Sequence, residues 1–220
     1  MKQSKILNIF LLGLSGAGKG SQALLLKSKF SLELINTGDL LRAIAENKTV
    51  FGQKLSAALK KGHLAPNWLT NYLWLNKLLY IPLNKGVILE GSPRSLEQAT
   101  LLTEVFNWLG RTNYRAIYLK VSEKEVTKRL LARRICTNCG KIVSLELNPT
   151  LKKCPYCGGK LKCRADDTPS AIKNRIAFLH KEVKPVISYF QKQKRLIEIN
   201  GEGTMEEVHY RILASLKSIK

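Results

Sequence analysis

The stretch that most constrains the fold is Gly13-Leu14-Ser15-Gly16-Ala17-Gly18-Lys19-Gly20-Ser21-Gln22. It follows a mostly apolar run from Ile6 to Leu12, which reads as a buried β-strand, and precedes Ala23-Leu24-Leu25-Leu26, the opening turns of a helix. Glycines in such a turn accept positive φ and let backbone N–H groups approach an anion, while the helix N-terminus adds a positive dipole end. The place is built for phosphate, and Lys19 reaches the β- and γ-phosphates as a point charge. The GxxxxGK core is present, but Gly20 occupies the position after the lysine and the hydroxyl is displaced to Ser21. The plainer alternative is an ordinary glycine-rich turn between strand and helix.

The chain of 220 residues can bury one full core and still carry a small insertion. Its 37 Lys and Arg against 16 Asp and Glu give a formal net charge of +21. That excess predicts attraction to polyanions, whether nucleotides, RNA or an anionic membrane surface. Lys2 and Lys5 before an apolar run mimic a secretory signal, but the run leads straight into the phosphate loop without an A-x-A-like cleavage site. No stretch approaches the ~18 apolar residues of a membrane span. A cytoplasmic protein with no membrane partner is expected.

Apolar strands are predicted at Leu32 to Ile35, Val87 to Glu90, Ala116 to Val121 and Leu196 to Ile199, alternating with helices. Helices are read around Val50 to Lys61, from Pro66 to about Tyr80, from Ser95 to Leu109, and from a Ser122/Glu125 capping box to Arg133-Arg134. Thr168-Pro169 opens another, and Thr204 with Glu207 caps the last. This order implies a parallel sheet covered on both faces, with ligands at the carboxyl ends of its strands, where Gly18, Thr37 and Arg94 fall.

Cys136-Thr137-Asn138-Cys139 and Cys154-Pro155-Tyr156-Cys157 are separated by fourteen residues. Two CxxC knuckles around a hairpin-like segment can bring four thiolates round one tetrahedral Zn²⁺, with Gly140 and Gly158 permitting the turns after each. Disulfides and a redox CxxC are the alternatives, and iron is the alternative metal. With four sulfur ligands the ion is structural and has no open position. Cys163 is expected to pack rather than bind. Arg129, Arg133 and Arg134 precede the insertion, with Arg129 and Arg133 four apart and expected to share a helix face; Arg164 and Arg175 follow it.

Taken together, residues 6 to 214 resemble the adenylate kinase family of nucleoside monophosphate kinases, in its long-lid form with a four-cysteine zinc site. The loop is similar to GxxGxGKG[ST]Q, and Thr37-Gly38-Asp39-Leu40-Leu41-Arg42 to TGD(M/L)LR. Glu90-Gly91-Ser92-Pro93-Arg94 resembles DGFPR, Arg129 to Arg134 matches RxxxRR, and Arg164-Ala165-Asp166-Asp167 with Arg175 matches RxDD…R. Four departures stand out: Ser15 for Pro, Glu90 for Asp, Ser92 for Phe, and Ala65-Pro66-Asn67-Trp68 where VPDE is expected.

The resemblance implies a P-loop NTPase-type α/β fold: a five-stranded parallel sheet flanked by helices, a helical monophosphate-binding insertion and a zinc-binding lid. The expected division is core 1–36, monophosphate insertion 37–66, core 67–134, lid 135–163 and core 164–220. It also implies ATP + AMP ⇌ 2 ADP with Mg²⁺. ATP is assigned to Gly16, Ala17, Gly18, Lys19, Gly20, Ser21, Arg129 and Arg133. AMP is assigned to Thr37, Arg42, Ala65, Gly91, Arg94, Gln98, Arg164 and Arg175. Lys19, Arg94, Arg129, Arg133, Arg164 and Arg175 hold the transferring group, Glu90 and Ser21 organise Mg²⁺, and Cys136, Cys139, Cys154 and Cys157 bind Zn²⁺. A monomer is expected. The rivals are a kinase of UMP, CMP or GMP, and a basic zinc-ribbon RNA-binding protein; contact with nucleic acid is otherwise a secondary, non-specific effect of charge.

Overall fold

Strand β1 (Asn8–Leu12) is buried at all five positions, as a strand covered on both faces must be. Its side chains divide with the period of two that a pleated strand imposes. Ile9 and Leu11 join Ile88, Ile117 and Leu119 in one core, whereas Phe10 and Leu12 join Val87, Leu89, Tyr114 and Ala116 in the other. In the second core Phe10 meets Phe106 edge-on at 4.9 Å and stacks on Tyr114 at 5.2 Å, geometries that favour the ring quadrupoles. The computed structural model describes residues 6–146 and 148–217; Lys2 and Lys5 lie outside them.

The chain runs from β1 through α1 (Lys19–Phe30) to β2 (Glu33–Asn36), then α2 (Thr37–Ala45), α3 (Val50–Lys60) and α4 (Asn67–Leu79). It continues through β3 (Val87–Glu90), α5 (Leu96–Trp108), β4 (Tyr114–Lys120) and α6 (Glu123–Ala132) into a small unit of β5 (Arg133–Cys136), β6 (Ile142–Ser144) and β7 (Leu161–Lys162). It closes with α7 (Pro169–Lys192), β8 (Leu196–Asn200) and α8 (Met205–Lys217). The five long strands pair in the order β2-β3-β1-β4-β8, all parallel. The chain leaves β1 for β2 and returns by β3 to one side of it, then places β4 on the other. The strand order therefore reverses at β1, where a crevice opens above the carboxyl ends.

The predicted strands recur within two residues of their expected limits. The caps do too: Thr168 Oγ1 accepts from the Ala171 N–H, and Thr204 and Glu207 bond reciprocally. At Ser122 the box is shared differently. Its Oγ accepts from the Glu125 N–H, but Glu202 from the β8–α8 loop, rather than Glu125, takes the Ser122 N–H. One boundary is corrected. Helix α6 ends at Ala132, and Arg133 is already extended, with φ −71° and ψ 136°, because Arg133 and Arg134 pair with Ser144 and Val143 of β6. Leu41, Leu55 and Leu69 form a separate small cluster under α2, α3 and α4. No helix among the described residues is long and apolar enough to cross a membrane.

Candidate active site

Strands β1, β2 and β3 end at one edge of the sheet, so the turns that follow them meet there. The β1 turn approaches α6 so closely that a Cβ on Gly16 would lie 2.9 Å from the Val126 carbonyl oxygen and the Leu130 Cγ; its φ is +87°. Only glycine fits there. Gly18 precedes the first turn of α1, Ala17 is buried, Gly20 is half-buried and Ser21 is exposed. Lys19 folds back into the loop, its Nζ donating to Gly13 O at 2.9 Å and Leu14 O at 2.8 Å.

Burial lowers the Lys19 ammonium from its ordinary 10.5 to about 8; Glu90 opposes this, and Arg94, Arg133 and Arg175 add to it. Between those values the unfolded chain holds more protons than the folded one. Stability from this group therefore rises with pH through the window from 8 to 10.5, and below 8 the buried charge costs about 3 kcal/mol. An anion set against Lys19 reverses the shift. Binding of a triphosphate at pH 8 is thus expected to take up about half a proton, measurable by titration calorimetry in buffers of different ionisation enthalpy.

Of the cations named from the sequence, Arg94, Arg133, Arg164 and Arg175 form one group with that lysine. Arg94 Nε donates to Gly91 O at 2.7 Å. Burial lowers its guanidinium; Glu90 counters this, while Arg175, Arg42 and Arg164 press the same way as burial. Arg133 makes a bidentate pair with Asp167 at 2.7 and 2.6 Å, and Arg164 one with Asp166 at 3.0 and 2.9 Å. Arg175 bridges the two acids at 3.1 and 2.8 Å, while its buried Nε has no partner. Burial works to raise Asp166, but Arg164, then Arg175 and Arg133, hold its carboxyl below the usual value. Lys19, Arg94, Arg133, Arg164 and Arg175 thus face Glu90, Asp166 and Asp167, an uncompensated positive charge in a partly desolvated crevice. Sequence reasoning assigns the two aspartates no role; their place between Arg164 and Arg175 is the available sign.

Arg129 lies apart from this group. Its guanidinium is held by Glu125 at 2.8 Å and by the Gly201 carbonyl at 3.1 Å, beside the β8–α8 loop. The expected shared helix face with Arg133 does not exist, since Arg133 has left the helix. On the β2 side, the buried Thr37 donates its hydroxyl to Glu90 O at 3.2 Å. A Cβ on Gly91 would collide with that hydroxyl. Arg42 is ion-paired with Asp39 at the surface. The buried Gln98 accepts from the Arg94 N–H at 2.7 Å and donates to Asn67 Oδ1 at 3.0 Å. A cleft of about 350 Å³ is lined by Ala65, Asn67, Arg94, Ser95, Phe178 and Glu182, among others; the last two come from α7, beyond the reach of any local motif. Ser92 is buried and its Oγ has no partner.

The small antiparallel unit holds the cysteines. The Sγ atoms of Cys136, Cys139, Cys154 and Cys157 all lie within 4.8 Å of one another, with Cys136–Cys157 at 3.5 Å and Cys139–Cys154 at 3.7 Å. A tetrahedral zinc with ligands at about 2.3 Å needs sulfurs about 3.8 Å apart, so the four fit one ion. Backbone N–H groups of Asn138 and Cys139 point at Cys136 Sγ at 3.4 and 3.5 Å, the support a thiolate requires. Gly140 and Gly158 turn the chain with φ of +68° and +71°. Cys163 lies outside the cluster and is exposed; it does not pack as expected, because β7 ends at Lys162 with no core beyond it.

A lysine-bearing glycine loop between a central parallel strand and its helix, ringed by arginines, defines an α/β kinase-like fold of the P-loop class. A family model described as adenylate kinase matches residues 11–195. Proteins named adenylate kinase from Thermosipho melanesiensis, Thermosipho africanus and Methanocella arvoryzae are 40%, 38% and 36% identical, over 94%, 94% and 95% of this chain and 98% of each relative. The chain belongs to the adenylate kinase family and is thereby a phosphotransferase.

Proposed function

We propose that the chain transfers the γ-phosphoryl group of ATP to AMP, giving two ADP reversibly with Mg²⁺. The observation that best supports this reading is the gathering of Lys19 and Arg94 beside Glu90 with Arg133, Arg164 and Arg175 about Asp166 and Asp167. ATP and AMP together bring about six negative charges, which a site joining them must offset. The AMP phosphate oxygen forms the new bond to the γ-phosphorus as the bridging oxygen of ADP departs. The nucleophile is already an anion, so no general base is needed. Catalysis then consists of alignment and charge stabilisation.

In this reading Lys19, the N–H groups from Gly16 to Ser21 and Arg133 hold the donor phosphates, while Arg129, out beside the β8–α8 loop, meets the rest of the ATP. Arg94, Arg164 and Arg175 straddle the group in flight, the free Nε of Arg175 offering a donor that no protein atom takes. Thr37, Arg42, Ala65, Gly91 and Gln98 seat AMP; Gln98 keeps a second amide hydrogen for an adenine edge. When bound with the nucleotide, Mg²⁺ would supply neutralisation of the phosphate charge. Glu90, the carboxylate that both Lys19 and Arg94 feel, and the exposed Ser21 are the groups to orient its waters. The four-cysteine unit, holding zinc, acts as a rigid lid hinged near Arg134 and Cys163. Its closure excludes water that would otherwise accept the phosphoryl group.

Selectivity is tested with ATP and a panel of AMP, GMP, CMP and UMP. AMP is expected to lead by about 100-fold in kcat/KM. Equal or better turnover of a pyrimidine monophosphate would reassign the acceptor.

A further inference from the structure

Helix α4 has two apolar faces, and the fold uses one. Leu69, Trp74 and Leu78 are buried. Trp68, Tyr72 and Leu79, spaced by four and seven residues and so aligned in a narrow arc, are instead 62%, 62% and 61% exposed. Tyr80 and Leu83 carry this surface past the helix end, and the exposed Phe51 of α3 places its ring 6.1 Å from that of Trp68. Single exposed apolar side chains are ordinary; a continuous stripe of them marks an interaction surface.

Charge narrows the occupant. Between positions 47 and 89 the sequence has six lysines, all exposed, and no Asp or Glu. The stretch Ala65 to Trp68 contributes to this by lacking both acids of the VPDE pattern. A second copy of a chain with net charge +21 would be repelled. The same segment has no arginine, the residue that grips phosphodiester backbones bidentately, which disfavours nucleic acid. Trp68, Tyr72 and Leu79 along one helix, in a segment whose Asp, Glu, Lys and Arg content is lysine alone, instead suit the headgroup boundary of an anionic bilayer.

The geometry points to the outer face of α4 as a peripheral docking surface for an anionic lipid bilayer. The expectation of no membrane partner rested on the lack of a spanning stretch, and docking of this kind needs none.

The test is co-sedimentation of the full chain with vesicles of phosphatidylcholine alone and of phosphatidylcholine mixed with phosphatidylglycerol. Binding is expected only to the mixed vesicles, and Tyr72→Glu with Leu79→Glu should weaken it by about tenfold or more without changing nucleotide turnover in solution. Should that pair disturb folding, as judged by circular dichroism, Lys54→Glu, one turn from Phe51, with Lys85→Glu is expected to weaken binding likewise. Failure to sediment with either vesicle overturns the proposal, as does binding indifferent to these substitutions. Displacement by poly(U), with poly(U) affinity lost in the same variants, would reassign the face to nucleic acid.

Discussion

Lys19→Ala is expected to slow phosphoryl transfer by about 10³-fold, the scale of removing one preorganised charge from a transition state, while leaving the protein folded. Stability should survive because the native lysine is itself a strained resident. Its ammonium is buried between Gly13 O and Leu14 O among arginines that lower its affinity for a proton. A Lys19→Met variant, keeping the length without the charge, should lose the rate equally and also lose the stability gain between pH 8 and 10.5. Initial rates with ATP and AMP, paired with melting curves across that range, measure both. Unaltered turnover in either variant would remove the glycine loop from the mechanism.

Loss of zinc is expected to melt the insertion while sparing the sheet. Its core consists of Cys136, Val143 and Cys154, with Leu151 and Leu161 packed alongside, too little apolar surface to order some thirty residues without help. Structural zinc in small domains is worth about 10–16 kcal/mol, so an ion held by these four thiolates would supply most of the unit's folding free energy. We expect one zinc per chain by elemental analysis, its loss in Cys154→Ser, and the appearance of a separate low-temperature transition after chelation. Activity should fall with it, since Arg133 begins β5 and Arg164 follows β7. A Cys154→Ser protein that kept stoichiometric metal would overturn the four-thiolate assignment.

The strands and most caps were legible because their determinants are local. Val87 to Glu90 is an apolar run with a carboxylate at its end, and Thr168 before Pro169 is a helix start in any context. What could not be read required partners remote in sequence. Arg133 was assigned to a helix because α6 has a clear beginning but no glycine to end it; pairing with β6 and the pull of Asp167 end it instead. The capping role of Glu202 at Ser122 crosses eighty positions. Cys163 was expected inside because free cysteines usually are, but the insertion is too thin to cover it. Periodicity also could not separate the two apolar faces of α4, since a helix apolar on both sides reads as one buried throughout. The site was legible as a set of cations. That Asp166 and Asp167 would tie three of them into one network was not.

The central claim is the transfer of a phosphoryl group between two adenine nucleotides, and ³¹P NMR of the purified chain with ATP, AMP and Mg²⁺ tests it most directly. The expected result is the rise of ADP resonances at the expense of both substrates, with no inorganic phosphate. Unchanged spectra, or inorganic phosphate released from ATP with AMP untouched, would contradict it.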